Sequence, residues 1–171
     1  MKANAMRLAL ASLGLVCVFA AHAQDGELSE ADHLLLRSAA EVSNKTAIVL
    51  HVFEYCAEQD DDFILRSASA LPNWKERNLD YVGLTTTLRE QVLIMGERHG
   101  IMRPEMGTML DEAPREVIAS FAEEFGRMGS EERIRVCDGY AEKIREGELD
   151  IGHGDSEVTG LLDIYVEAAK R

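Results

Sequence analysis

Residues 29–59 read SEADHLLLRSAAEVSNKTAIVLHVFEYCAEQ. Within them Leu35, Ala39, Val42, Thr46, Val49, Phe53 and Cys56 recur at alternating intervals of four and three, the spacing of one helical face. Ser29, followed by Glu30 and Asp32, is an N-cap with an acidic first turn, where the helix dipole favours negative charge. The β-branched stretch from Thr46 to Val49 suits a strand when taken alone, but the length of the seam decides for helix. Asp60-Asp61-Asp62 ends the seam and is placed to cap a short helix over Phe63–Ala70.

The same grammar continues downstream. Pro72 falls in the first turn of a helix whose stripe is Trp74, Tyr81, Thr85, Leu88, Val92 and Met95, with Gly100 as its stop. Residues from Ile101 to Ala113, with Pro104 and three methionines, read as a loop. Pro114 then opens a helix carrying Val117, Ile118, Phe121, Phe125 and Met128. Ser130 begins another through Ile134, Cys137, Ala141 and Ile144, stopped by Gly147. Asp155 caps a last one with Val158, Leu161, Leu162, Tyr165 and Ala169. No strand alternation, repeat or low-complexity linker interrupts the pattern. The expectation is an all-α, single-domain helical bundle of about five main helices, stapled by one disulfide.

The amino end has a different character. Lys2 and Arg7 precede an apolar run from Leu8 to Ala20, and Ala21-His22-Ala23 offers small residues at a cleavage site. This is the layout of a cleaved secretory leader over residues 1–23, too short to span a membrane. A helical domain over 24–171 follows, and the periplasm is the expected address. Losing Lys2 and Arg7 deepens the formal charge from −13 to −15. An acidic chain lacks the basic footprint of a nucleic-acid binder and is repelled by anionic lipid. Neither nucleic acid nor membrane insertion after cleavage is expected. A basic protein partner fits the charge, and the seam of the last helix suits a homodimer face as well as a core face.

Cys17 lies inside the leader, and the Gly14-Leu15-Val16 that precedes it is a poor lipidation signal. Cys56 and Cys137 remain. An even count in an exported chain, with neither cysteine in a C-x-x-C motif, reads as a structural disulfide.

Chemistry-bearing patterns are sparse. His99, Met102, Met106 and Met109 offer the imidazole and thioether ligands that suit Cu(I), at spacings of three, four and three. Methionine is also a flexible filler of core gaps. His153, Asp155 and Asp150 surround a glycine turn that suits a divalent ion or, more simply, a helix cap. Trp74-x-x-Arg77-Asn78 places a guanidinium one turn from the only tryptophan, positioned to stack on the indole, and sets an asparagine on the seam. Together with Cys56 and Cys137 it resembles, over those positions alone, small exported bacterial helical proteins; the resemblance implies a structural corner and carries no activity across. No G-x-S-x-G or other catalytic motif is present. The reading is therefore a non-enzymatic, cofactor-free exported protein acting through a protein partner, in the manner of an immunity or inhibitor protein. A periplasmic copper carrier built on the His/Met cluster is the alternative.

Overall fold

Ser29 and Asp32 fix the start of the first helix. Ser29 Oγ accepts from the Asp32 backbone N–H (3.2 Å), and the Asp32 carboxylate accepts from the Ser29 backbone N–H (3.2 Å) and hydroxyl (2.6 Å). Two orphan amide donors at the helix start are thereby satisfied reciprocally. The structure is a computed structural model describing residues 28–171; the leader read at 1–23 lies outside the described residues. Among the described residues seven helices follow one another: α1 (Glu30–Gln59), α2 (Phe63–Arg66), α3 (Ala70–Gly83), α4 (Thr85–Arg98), α5 (Arg103–Gly126), α6 (Ser130–Glu146) and α7 (Ser156–Ala169). Among the described residues there is no strand, and no helix is long and apolar enough to cross a membrane. The chain is an all-α bundle with α1 at its centre, packed on by α3, α4, α5, α6 and α7.

Two elements differ from the sequence reading. The single helix expected from Pro72 to Gly100 is two, which makes six substantial helices and one short turn. The break falls at Leu84, whose N–H donates to Tyr81 O (3.0 Å), while Thr85 Oγ1 donates to Val82 O (2.7 Å). Gly83 and the β-branched run Thr85–Thr87 are poor helix formers side by side, and the joint sits between them. The expected loop over Ile101–Ala113 is instead the first half of α5, and Pro114 lies inside that helix rather than opening it. Pro104 falls in the first turn, where its missing N–H costs nothing. Met106 is fully buried against Gly96, where any Cβ would collide with Met106 Cε. Arg103 binds Glu90 with two bonds (2.9 and 3.0 Å) and Glu97 with a third (3.0 Å). Arg89 reaches Asp111 (2.7 Å). These ion pairs tie the methionine-rich segment to α4 along its length. Around Pro114 the helix is only half buried, so water can serve the carbonyl that proline leaves without a donor.

The core divides along α1. Along α1, Leu36, Ala39, Val42 and Val49 pack against Trp74, Leu88, Val92, Met95, Met106, Ile144 and Leu162. Ile48, Val52 and Cys56 of the same helix pack against Phe63, Phe121, Phe125, Tyr140 and Ala141. Phe53 and Leu149 touch both clusters. Tyr55, Phe121, Phe125 and Tyr140 stack largely edge to face, Tyr55 on Phe125 at 5.1 Å and Phe121 on Tyr140 at 5.6 Å. Cys56 and Cys137 form a disulfide, with Cα atoms 5.6 Å apart and a sequence separation of 81. In the chain-entropy model a loop of that length contributes about 4–5 kcal/mol. On α7, Val158, Leu162 and Val166 face the core, while Ile164 stays exposed. The Asp triplet caps differently from expectation: Asp60 Oδ1 accepts from Asp62 N (3.0 Å), and Asp62, before a helix that ends at Arg66, makes no side-chain cap bond.

Ser38 Oγ and Tyr140 Oη are buried without a hydrogen-bond partner among the described residues. Burial, and after it the charge of Glu124, pushes the Tyr140 phenol upward. A buried hydroxyl without a partner opposes folding. Tyr140→Phe and Ser38→Ala are therefore expected each to raise stability by about 0.5–1 kcal/mol in urea unfolding with the disulfide intact. A loss of stability in both would show that the hydroxyls are engaged.

Candidate functional site

The densest polar constellation is built by α3 on the segment between α6 and α7. Trp74, buried, donates its Nε1–H to the Leu149 carbonyl (2.9 Å). One turn on, Arg77 grips Asp150 with Nε (2.7 Å) and Nη2 (2.9 Å) and also donates to the Ile144 carbonyl (2.6 Å). Asn78, buried as the seam predicts, donates to Trp74 O (2.8 Å) and Asp150 Oδ1 (3.0 Å), and its Oδ1 accepts from Ile151 N–H (2.7 Å). From the other side α1 sends Lys45 Nζ to the Asp150 carbonyl (3.2 Å), and Glu41 Oε1 accepts from Gly152 N–H (3.1 Å). Gly147, Gly152 and Gly154 all have φ near +80°, the left-handed region, so the segment turns sharply at three places. A chain that turns this often forfeits regular backbone bonds, and the side chains of α1 and α3 replace them.

This is the structural corner that the Trp-x-x-Arg-Asn string suggests. The Arg77 guanidinium is directed at Asp150 and the Ile144 carbonyl. Sequence reasoning did not reach Glu41, Lys45 or the central part of Asp150; the i,i+4 pairing of Glu41 with Lys45 (3.4 Å) was the available signal. Both Asp150 oxygens are covered by Arg77 and Asn78, so this carboxylate is not a free base. Beside the corner, Gly152, Gly154, Asp155, Ser156, Thr159 and Gly160 line a shallow open groove. Asp155 caps α7 as expected, accepting from the Glu157 and Val158 amides (both 3.1 Å). His153 is exposed, and with Asp150 held by Arg77 and Asp155 by the cap, the trio does not converge.

The His/Met group is distributed over three environments. His99 Nε2 lies 3.3 Å from Asp32 Oδ2. Met102 is 69 % exposed, Met106 is fully buried on Gly96, and Met109 is half buried against the core. Among the described residues no group of three or more His, Cys, Asp or Glu side chains is placed to hold a metal ion.

Asp32 is the other organised polar centre. It receives Ser29, Arg98 Nη2 (3.2 Å) and His99, and so joins the start of α1 to the end of α4. The Ser29 hydrogen bonds, with lesser help from His99 and Arg98, hold its carboxyl below the usual aspartate value against the opposing effect of burial.

Compared with protein-family models, with curated proteins and with solved structures, the chain matches none.

Two outcomes test the corner and the cap. Asn78→Ala leaves the buried Ile151 N–H without its acceptor. It is expected to cost about 2 kcal/mol and to speed hydrogen exchange at Ile151, with other core amides following the global loss only. Unchanged exchange at Ile151 would show that the asparagine does not hold the segment. For Asp32 the depressed pKa belongs to the folded state, so its stabilisation is complete above the unfolded value of about 3.9 and disappears as pH falls through the lowered folded value. Asp32→Asn should therefore be less stable than the parent near neutrality and lose less stability on acidification below about pH 4. Parallel acid profiles in urea midpoints would remove Asp32 as a source of acid sensitivity.

Proposed function

We propose that the protein is exported to the periplasm and acts there as a non-catalytic binding protein whose partner is a basic protein, as immunity and inhibitor proteins act. The observation that supports it most is the surface charge. Glu105, Glu112 and Glu116 on α5, and Glu131, Glu132, Glu142 and Glu146 on α6, are exposed without ion-pair partners among the described residues. Such a field accelerates encounter with a cationic protein and disfavours anionic ones. The buried Cys56–Cys137 bond fits an oxidising compartment. The polar groups of the α3 corner are engaged with one another, which suits a scaffold better than a reaction centre.

Protein purified from its own periplasm is expected to show the mass of residues 24–171 less about two hydrogens, the signature of cleavage and oxidation. It should co-purify with a basic protein, and the association rate of the isolated pair should fall at least about tenfold between low and high salt. A rate that ignores ionic strength, with no complex surviving purification, would sink the reading.

A further inference from the structure

We propose that the basic partner docks on the pole formed by the end of α1, the turn α2 and the start of α6; this rests on the binding reading above. From Glu54 to Leu65 the chain carries Glu54, Glu58, Asp60, Asp61 and Asp62 and not one lysine or arginine. The arginines of these segments and of the turn before α6 are Arg66, Arg127, Arg133 and Arg135, and Arg127 pairs with Glu123 of α5. Arg66 is held between Asp60 (2.6 Å) and Asp138 (3.0 Å). Arg133 donates to Gln59 Oε1 (2.9 Å) and the Met128 carbonyl (3.1 Å). Arg135 is exposed. Glu58, Asp61 and Asp62, with Glu131 and Glu132 from α6, are exposed and without ion-pair partners among the described residues.

Local stability does not account for the α1 carboxylates. Glu131 and Glu132 sit at a helix start, where the dipole favours them. Glu58 sits in the last turn of α1, which holds no basic residue, and the Asp triplet follows at the negative end of the dipole. Asp60 is answered by Arg66 and by the Asp62 amide, but Glu58, Asp61 and Asp62 carry charge where a cation would support the end of α1. Departures from local rules of this kind concentrate where function asks for them.

The pole also displays apolar surface. Phe63 is buried and stacks on Phe53 at 5.2 Å, anchoring α2, whereas its neighbours Ile64 and Leu65 are 53 % and 77 % exposed. Ile134, near the start of α6, is exposed as well. The display is rigidly mounted. The disulfide ties the final turns of α1 to α6, Arg66 ties α2 to α6, and Ser67 Oγ donates to Phe63 O (2.6 Å). A surface ordered in advance loses less freedom on binding. Charge complementarity selects the occupant: a cationic protein segment that also presents an aliphatic side chain. A second copy of this chain would set these carboxylates against their own equivalents.

The test uses the full oxidised chain and two probes, an amphipathic lysine–leucine peptide and an equally charged lysine–serine peptide. Glu58→Gln/Asp61→Asn/Asp62→Asn is expected to weaken the lysine–leucine peptide at least about tenfold at moderate salt. Its thermal stability should equal or exceed that of the parent, because the removed charges oppose the end of α1. Leu65→Ser should weaken the lysine–leucine peptide several-fold and leave the lysine–serine peptide unchanged. The same charge change on α5, Glu105→Gln/Glu112→Gln/Glu116→Gln, removes part of the general field and should weaken the peptide at least about threefold less than the pole triple does. Equal weakening in both triples overturns the pole, and if a native complex still survives purification the binding reading stands without it. Failure of the parent chain to bind the lysine–leucine peptide overturns the pole directly, as would amide NMR shifts confined to residues outside 54–66 and 131–138.

Discussion

A helix of 30 residues is about 45 Å long, and α1 buries side chains over most of that length and on more than one face. No single neighbour can cover it. The six later helices do so together, and the requirement explains the layout of the molecule: α3, α4 and α7 close around one part of α1, α2 and α6 run against it further on, and α5 spans both parts of the core. The same central position leaves Ser38 and Asn44 with buried oxygens that no partner among the described residues answers, a cost that a peripheral helix would shed to solvent.

Surrounding one helix with others demands connections, and most here are short. The segment between α6 and α7 is the exception, with left-handed glycines in place of regular backbone bonding. Trp74, Arg77 and Asn78 on one side and Glu41 and Lys45 on the other supply what the turns lack. The corner is thus the consequence of bringing α7 back onto α1, and its chemistry is directed inward.

Much of this was legible because it is local. Ser29 and Asp155 announce caps, Gly100 and Gly147 announce stops, and the four–three seam from Leu35 to Cys56 announces α1. The seam marks only part of what α1 buries: Leu36, Ala40, Ile48 and Val52 are buried too, since periodicity registers one covered face and α1 is covered on several. The joint at Leu84 was written in Gly83 and the threonine run but was overruled by a continuous stripe. The helicity of 103–113 was hidden because it depends on Arg103 finding Glu90 and Glu97 and on Met106 finding Gly96, pairings that no window of sequence displays. The corner was half legible: Trp74, Arg77 and Asn78 stood out by type, while Glu41 and Lys45 look like any exposed helical pair. The acidic triplet was visible as charge, but its two bare aliphatic neighbours emerge only when Phe63 is seen to turn inward.

The position of the cross-link carries a consequence for how the chain comes into being. Cys56 waits for a partner 81 residues further on, and Arg37 finds Glu157 only 120 residues later. During synthesis or threading from the amino end, α1 emerges first, with its apolar faces open and every covering helix still to arrive. The helix that the others enclose is made before all of them, so its burial waits for the helices that follow, and loss of α7 would unroof α1.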